Sequence, residues 1–396
     1  MILSDIAKVL YAPHKVFKQI IQNPKYAGAI IVFVLFVATQ TAFYFSYYSK
    51  VYSEQTYPAG DQFGTLTQNS TLWTISSDAI ISRNYDDLIN STLYGNSSLQ
   101  VTLVNTSSIS AELNNLGSSV NCGPTGFQNV SMRIKLVEPQ SAPEKVTLYL
   151  YSLSASNYFE YDLTQDLSTT NVWNNLTIPV GSGNWVNNGN PGWQNITGLK
   201  LDLAYSTNSS VTLRMEGVFF RGVYQTPLEV DSTIFLVTIL QLVFTQFLFE
   251  WLILSGLMYI LIKVLKGTVT WKPLAAAVGF ALITLIIQTL VATAATTTLS
   301  SIYYPIEFLA RVPGESQAVT NTVAAETQTF SLIFAGFQIA TYAWIVALGA
   351  LITRNLTAPV GEGTPEVPQF NWMKCFLVSG ASMLLTIIIL GFLIGV

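Results

Sequence analysis

The sequence predicts a polytopic α-helical membrane domain of five transmembrane helices plus an all-β extracellular sandwich of jelly-roll type. Three observations carry this. Of 396 residues, 50% are hydrophobic and only 10% charged, with a mean hydropathy of +0.43; a soluble domain carries about 25% charged residues. Five apolar, nearly uncharged runs, at 27–46, 233–262, 274–299, 330–353 and 373–396, reach the length needed to cross a bilayer core, roughly 20 residues at 1.5 Å each. Between the first two lies a stretch, 50–231, rich in Asn, Ser, Thr and Tyr, with apolar residues recurring at every second position. Such a composition excludes a nucleic-acid binder and a disordered chain.

The first 25 residues read as a cytoplasmic amphipathic helix. Leu3, Ile6, Val9, Leu10, Val16, Phe17, Ile20 and Ile21 fall at helical spacing, with Lys8, Lys15, Lys18 and Gln22 opposite. Pro13 belongs in the first turn of a second helical piece and Pro24 ends that piece. This helix either lies in the membrane interface or packs on the spans. The span at 26–49 has too long a leader and too long an apolar run for a cleaved signal peptide, and reads as a retained anchor.

In 50–231, period-2 runs at 99–104, 130–137, 145–152, 199–204 and 211–220 are rich in Val, Tyr, Thr and Leu, as half-buried antiparallel strands require. Strands at this spacing indicate a sandwich; only 77–89 suggests a short helix. The remaining chain reads as spans at 232–263 and 273–300, an extracellular loop at 301–327, a span at 328–353, a cytoplasmic loop at 354–371 and a last span at 372–396.

Lys and Arg translocate poorly, so their distribution orients the chain. Lys8, Lys15, Lys18 and Lys25 precede the first span, and Lys263, Lys266 and Lys272 follow the second. Residues 50–231 instead hold 8 basic and 15 acidic residues, and 301–327 sets Arg311 against Glu307, Glu315 and Glu326. The expectation is a plasma-membrane protein with its N-terminus inside and its large domain and C-terminus outside. Asn-x-Ser/Thr sequons at Asn69, Asn90, Asn96, Asn105, Asn129, Asn175, Asn195 and Asn208 suggest a glycosylated surface. A ninth, Asn355, falls on the inner side. A glycosylated surface without a disulfide framework suggests an archaeal envelope.

Two cysteines, Cys122 and Cys375, and one histidine, His14, leave no thiolate or multi-His metal site and no Ser-His-Asp triad. No nucleotide loop is readable, and no cofactor is expected. Trp173, Trp185 and Trp193 beside the Asn/Gly-rich loop 181–192 form either a ligand platform for sugars or a plug of the sandwich core. Asp86 and Asp87, or Asp162 and Asp166, have no calcium-loop spacing and read as solvated carboxylates. Within the spans, Glu250 is the exception to an apolar rule, and a carboxylate at that depth must face the bundle or a polar cavity. It is either an ion site or an inter-helix hydrogen-bonding group with Gln288 and Gln338 as partners; Gln241 and Gln246 are embedded as well. Gly336/Ala340 and Ala343/Ala347 are small-residue pairs suited to close helix packing.

The passage "FLFEWLILSGLMYILIKVLKGTVTWKPLAAAVGFALITLIIQTL" at 247–290 resembles the Yip1-domain family, above all its prokaryotic members. Its marks are a basic turn at 263–267, Trp271, and a small-residue re-entry at 274–280, with Pro13, Phe17 and Pro24 ahead of the first span. The resemblance implies a compact five-helix module without known catalytic residues. The stretch "WNNLTIPVGSGNWVNNGNPGWQNITGLKLDLAYSTNSSVTLRMEGVFFRG" resembles the second half of galactose-binding-like jelly rolls. The chain is thus expected to be no enzyme but an envelope protein presenting a glycosylated sandwich for assembly or ligand contact, as an accessory or scaffold subunit of a membrane complex. Its expected partners are the lipid bilayer, other membrane or envelope proteins and possible glycans. A transporter or channel with a polar site around Glu250 and a surface carbohydrate receptor are the alternatives.

Overall fold

A computed structural model describes residues 2–59, 64–89, 91, 93–181, 183–312, 314–357 and 369–394. The chain forms two compact units. One comprises Met1–Val51, Thr226–Ile302 and Ala325–Val396; the other comprises Tyr52–Gln225 and Tyr303–Ala324.

Among the described residues, five helices are long and apolar enough to cross a membrane: Tyr26–Tyr48, Pro227–Val264, Trp271–Thr296, Glu315–Leu356, which groups with the first unit from Ala325 on, and Trp372–Leu393. The second breaks at Asp231, whose backbone leaves helical angles while its carboxylate caps the Ile234 N–H at 2.8 Å. The apolar part therefore starts at 232. A capping box between Thr226 and Glu229 closes the short piece before it. The third helix is the centre of the bundle: every residue from 274 to 286 is buried. Its small residues make this possible. A Cβ on Gly279 would strike Ala29 and Trp251, and one on Gly28 would enter the Phe280 ring. Trp251 also donates to the Ala275 carbonyl at 2.7 Å.

The leader forms helices Ile2–Tyr11 and Pro13–Gln22, with Pro13 in the first turn of the second. Their apolar faces, through Ile6, Val9, Val16, Phe17 and Ile20, join the core of the bundle, while His14, Lys15 and Lys18 stay exposed. Of the two expected placements, packing on the long helices is observed. Small residues at 336, 340 and 343 do not mediate packing: Gly336 has open space beside it, and Ala340 and Ala343 are exposed. The close approach falls instead at Gly349, against Ser379.

The second unit is antiparallel β structure. Its strands are β1 (Val51–Tyr57), β2 (Trp73–Ile75), β3 (Ile80–Asn84), β4 (Ser98–Leu113), β5 (Asn129–Glu138), β6 (Lys145–Ser152), β7 (Ser154–Asp162), β8 (Asn174–Pro179), β9 (Val186–Asn188), β10 (Ile196–Gln225) and β11 (Ile302–Tyr304). The long strands β4 and β10 pair along both halves of the fold. Over Leu199–Ala204, β10 lies between β4 and β6; past the register shifts between Ala204 and Val211 it lies between β4 and β5. The remaining strands extend these halves: β7 and β9 beyond β6, β8 beyond β5, β2 and β3 beyond β4, and β1, with β11 beyond it, on the end of β10. Leu199, Leu201 and Leu203 from one half and Val211, Leu213 and Met215 from the other enter a single core with Leu148 and Ile134. Alternation at period 2 turns these side chains to one face, and two half-sheets sharing a core make a sandwich.

One expectation is corrected. The short helix expected within 77–89 is strand β3, paired from Ile80↔Thr102 to Asn84↔Ser98 with β4. Sheet hydrogen bonds available from a neighbouring edge override weak local helical spacing. Of the stretch 301–327, read from the sequence as an extracellular loop, residues 303–324 group with the β unit. Ile306, Ala310 and Val312 pack with Ile89, Tyr94 and Phe219 in a second small core. Two ion pairs hold the same segment, Arg221 to Glu307 and Arg133 to Glu315, both at 2.6 Å.

Candidate functional site

In the helical unit, four of the long helices surround a cavity of about 430 Å³. Each contributes residues one helical turn apart. The first supplies Phe36, Gln40, Tyr44 and Tyr48 with Phe43 and Tyr47; the second supplies Leu242, Gln246 and Glu250. The third adds Leu285, Gln288, Thr289 and Ala292, and the fourth Phe330, Phe334, Gln338 and Tyr342. Aromatic pairs bridge the first and fourth helices, with Phe43 and Phe334 stacked at 6.0 Å and Tyr47 and Phe330 at 5.7 Å.

Glu250 is only 3% exposed, and its Oε1 has no hydrogen-bond partner. The partnership expected with Gln288 and Gln338 does not form. Gln338 donates to Tyr342 one turn along its own helix at 3.0 Å, and the Oε1 atoms of Gln288 and Gln246 are likewise unpartnered. Thr289 donates to Gln40 at 2.8 Å. The physical reason is room: the cavity separates facing helices, so the long polar side chains point into space rather than at one another. No Lys, Arg or His lines it. A buried carboxylate without a cation, among unpaired amide oxygens, is costly for stability alone and is suited to receiving a ligand that brings charge or donors. Gln241 is exposed and takes no part.

The β unit places the other expected residues. Trp185 is buried, its ring 5.0 Å from Tyr161 and 5.5 Å from Trp193, with its N–H on the Pro179 carbonyl at 2.8 Å. Trp193 stacks on Phe159 at 3.6 Å. Trp173 lies apart from these, donating to Asp87 at 3.0 Å. The three rings are thus divided between two places, Trp185 buried and Trp173 and Trp193 half-buried, and they share no common face; flat rings bury more area inside the sandwich than on its rim.

Asp87 also meets Lys135 at 2.9 Å and pairs with Arg214. Burial pushes its carboxyl up, but hydrogen bonds from Lys135, Trp173 and Arg214 outweigh this and hold it below the usual carboxylate range. Asp162 caps the Thr164 N–H at 2.9 Å. No group of three metal-ligating side chains occurs among the described residues.

Asn96, Asn105, Asn175 and Asn208 are exposed, whereas Asn69, Asn129 and Asn195 are half-buried; Asn90 lies outside the described residues. The Nδ2 of Asn355, the atom a glycan would join, is buried. Glycopeptide mapping of the protein from a glycosylating host is therefore expected to find sugar first at the four exposed sites and none at Asn355. Substantial occupancy at Asn355 would contradict both its burial and the inner placement expected from the sequence.

No family model matches this chain and no curated protein matches its sequence. Among solved structures it is similar to a family 11 carbohydrate-binding module from Clostridium thermocellum, in complex with a β-1,3-1,4-mixed-linked tetrasaccharide, at 12% identity and a TM-score of 0.27. That likeness covers 39% of this chain and 90% of the module. A family 30 carbohydrate-binding module is similar at 11% identity and a TM-score of 0.29, over 44% and 91% of the two chains. A β-1,2-glucanase from Parabacteroides distasonis follows at 17% and 0.28, over 37% of this chain and 22% of the enzyme. Likenesses this distant decide neither ligand nor activity. The described residues therefore form five apolar helices of membrane-crossing length and an antiparallel β-sandwich, and no match supports the Yip1-domain resemblance.

Proposed function

We propose that the protein is a solute-binding membrane protein of the cell envelope, with its ligand site inside the helix bundle at Glu250 and its β-sandwich on the outer side. The observation that carries this reading is the cavity of about 430 Å³ into which a buried, unpartnered carboxylate faces. Cavities of 300–1,000 Å³, mostly apolar with a few convergent polar groups, are the common form of small-molecule sites. A bundle serving only as a scaffold gains nothing from such a void, since each unpaired buried polar group and each missing contact destabilises it. The excess of basic residues at the inner helix ends and the sequons of the β unit support the orientation. Most lining residues fall in the half of their helix nearer 48, 232, 296 or 328, while Phe36, Glu250 and Tyr342 sit at about mid-helix, so in that orientation the site runs from the membrane midplane into the outer leaflet.

The proposal is tested by access. The two native cysteines are buried, so an introduced thiol reports its own surroundings. With a small water-soluble methanethiosulfonate reagent, Ala292→Cys in the cavity wall is expected to react at least about tenfold faster than Ala276→Cys in the packed third helix, because reaction follows access to the thiolate. Equal, slow reaction at both positions would mean a closed bundle and would refute the site.

A glycan-contacting role for the sandwich is a second reading, favoured by one observation. Ser76, Ser110, Thr147, Tyr149, Lys200 and Asp202 line a polar groove of about 320 Å³ on the strands β4, β10 and β6. Hydroxyls, a ring and a charged pair at 2.7 Å are groups that hydrogen-bond and stack on sugars. It predicts loss of glycan binding by the full chain on Tyr149→Ala.

A further inference from the structure

Resting on the reading of the bundle cavity as a ligand site, we infer that its ligand class is an organic primary ammonium: a cationic –NH3⁺ head at Glu250 carrying a small apolar or aromatic body. Three features select it. Charge comes first. The wall carries one acidic side chain and no basic one, so a cation complements it and an anion would be repelled in surroundings of low dielectric. Hydrogen-bonding arithmetic comes second. The Oε1 atoms of Gln246, Glu250 and Gln288 are buried acceptors without donors. A primary ammonium has three N–H donors and no acceptor, which is the complement of that set. A neutral alcohol has one donor and leaves acceptors unpaired.

The third feature is the rest of the wall. Phe36, Phe43, Tyr44, Phe334 and Tyr342 present rings from two helices. Aromatic faces attract cations through their quadrupole and accept hydrocarbon with equal ease. A bare metal ion is served poorly by such a wall, because hard cations take about six or more oxygen ligands at close range. A phenylalkyl ammonium fills space that an inorganic cation leaves to water.

The test uses purified full-length protein in mild detergent and tritiated 2-phenylethylammonium as the probe. Saturable binding is expected, displaced by unlabelled probe and far less by 2-phenylethanol, its neutral counterpart in shape. In Glu250→Gln, which keeps size and hydrogen-bonding capacity, affinity should fall at least about tenfold, as loss of a buried charge-assisted bond requires. The probe should also slow thiol labelling of Ala292→Cys. Equal binding of 2-phenylethanol, or an affinity unchanged in Glu250→Gln, would overturn the ammonium class while leaving the cavity as a site. Absence of saturable ammonium binding would overturn it too. The labelling contrast between Ala292→Cys and Ala276→Cys then decides separately whether the cavity reading stands.

Discussion

Replacing Arg221 by alanine is expected to lower the stability of the β unit by about 3–5 kcal/mol, the cost of breaking a buried ion pair from one side. Its guanidinium donates to both oxygens of Glu54, at 2.8 and 2.6 Å, and to both of Glu307, at 2.6 and 3.0 Å. The Glu54 side chain is 2% exposed, that of Arg221 12% and that of Glu307 24%. Burial opposes the charge on Arg221, and the two carboxylates outweigh it, holding the group above its ordinary range. Burial likewise pushes Glu307 up, and Arg221 brings it below the usual range. Glu54 also accepts the Ile306 N–H at 2.8 Å, so losing the arginine strands two carboxylates and loosens the segment 303–324. Hydrogen exchange of the full chain in detergent checks this: amides of β10 and of 306–312 should open together in Arg221→Ala. Protection unchanged in both segments would show that the cluster is not what holds them. Replacing Arg221, Glu54 and Glu307 together by apolar residues of similar size should restore much of the loss, since no charge is then left buried.

Glu216→Gln is expected to stabilise the β unit above neutral pH, by up to about 3 kcal/mol, because burial holds this carboxyl well above its ordinary range. Burial pushes this carboxyl from its ordinary value of 4.5 up to about 7, only partly offset by the Ile89 N–H and by Arg133. The side chain is fully buried; Oε2 accepts the Ile89 N–H at 2.6 Å and Oε1 has no partner. Between pH 4.5 and 7 the folded state holds a proton that the unfolded chain releases, so this group's contribution falls as the pH rises and is lost above about 7. Asp87 and Glu307, held low, act in the opposite sense, and their contribution disappears as the pH falls through their depressed values. Exchange-derived stability of the β unit from pH 5 to 8 should therefore slope downward in the wild type and lie flatter in Glu216→Gln. Parallel profiles would remove Glu216 as the cause.

Much of the membrane cavity was written in the sequence at one-turn spacing. Phe36, Gln40, Tyr44 and Tyr48 form one ladder, Leu242, Gln246 and Glu250 another, and Phe330, Phe334, Gln338 and Tyr342 a third. Polar residues recurring every four positions in an apolar helix must share a face. Glu250, Gln288 and Gln338 stand out singly as polar residues in an apolar run, whereas Gln40, Tyr44 and Tyr342 carry no such signal, because tyrosine and a lone glutamine near a helix end are ordinary. The proximity of the tryptophans in sequence leaves a ligand platform or a core plug open; Trp185 and Trp193 turn inward onto Tyr161 and Phe159 while Trp173 faces Asp87.

The sequence alone determined the five apolar helices, the two-piece amphipathic leader and the strands β4, β5, β6 and β10, because hydropathy over 20 residues and alternation at period 2 are local properties. Tertiary structure decided the rest: that 303–324 joins the β unit, that 80–84 is a strand, and that Glu250 faces an empty space instead of Gln288. These depend on helix rotation and strand register. Both are set by contacts between residues far apart in the chain, such as Gly28 with Phe280 and Arg221 with Glu54, which no local pattern encodes.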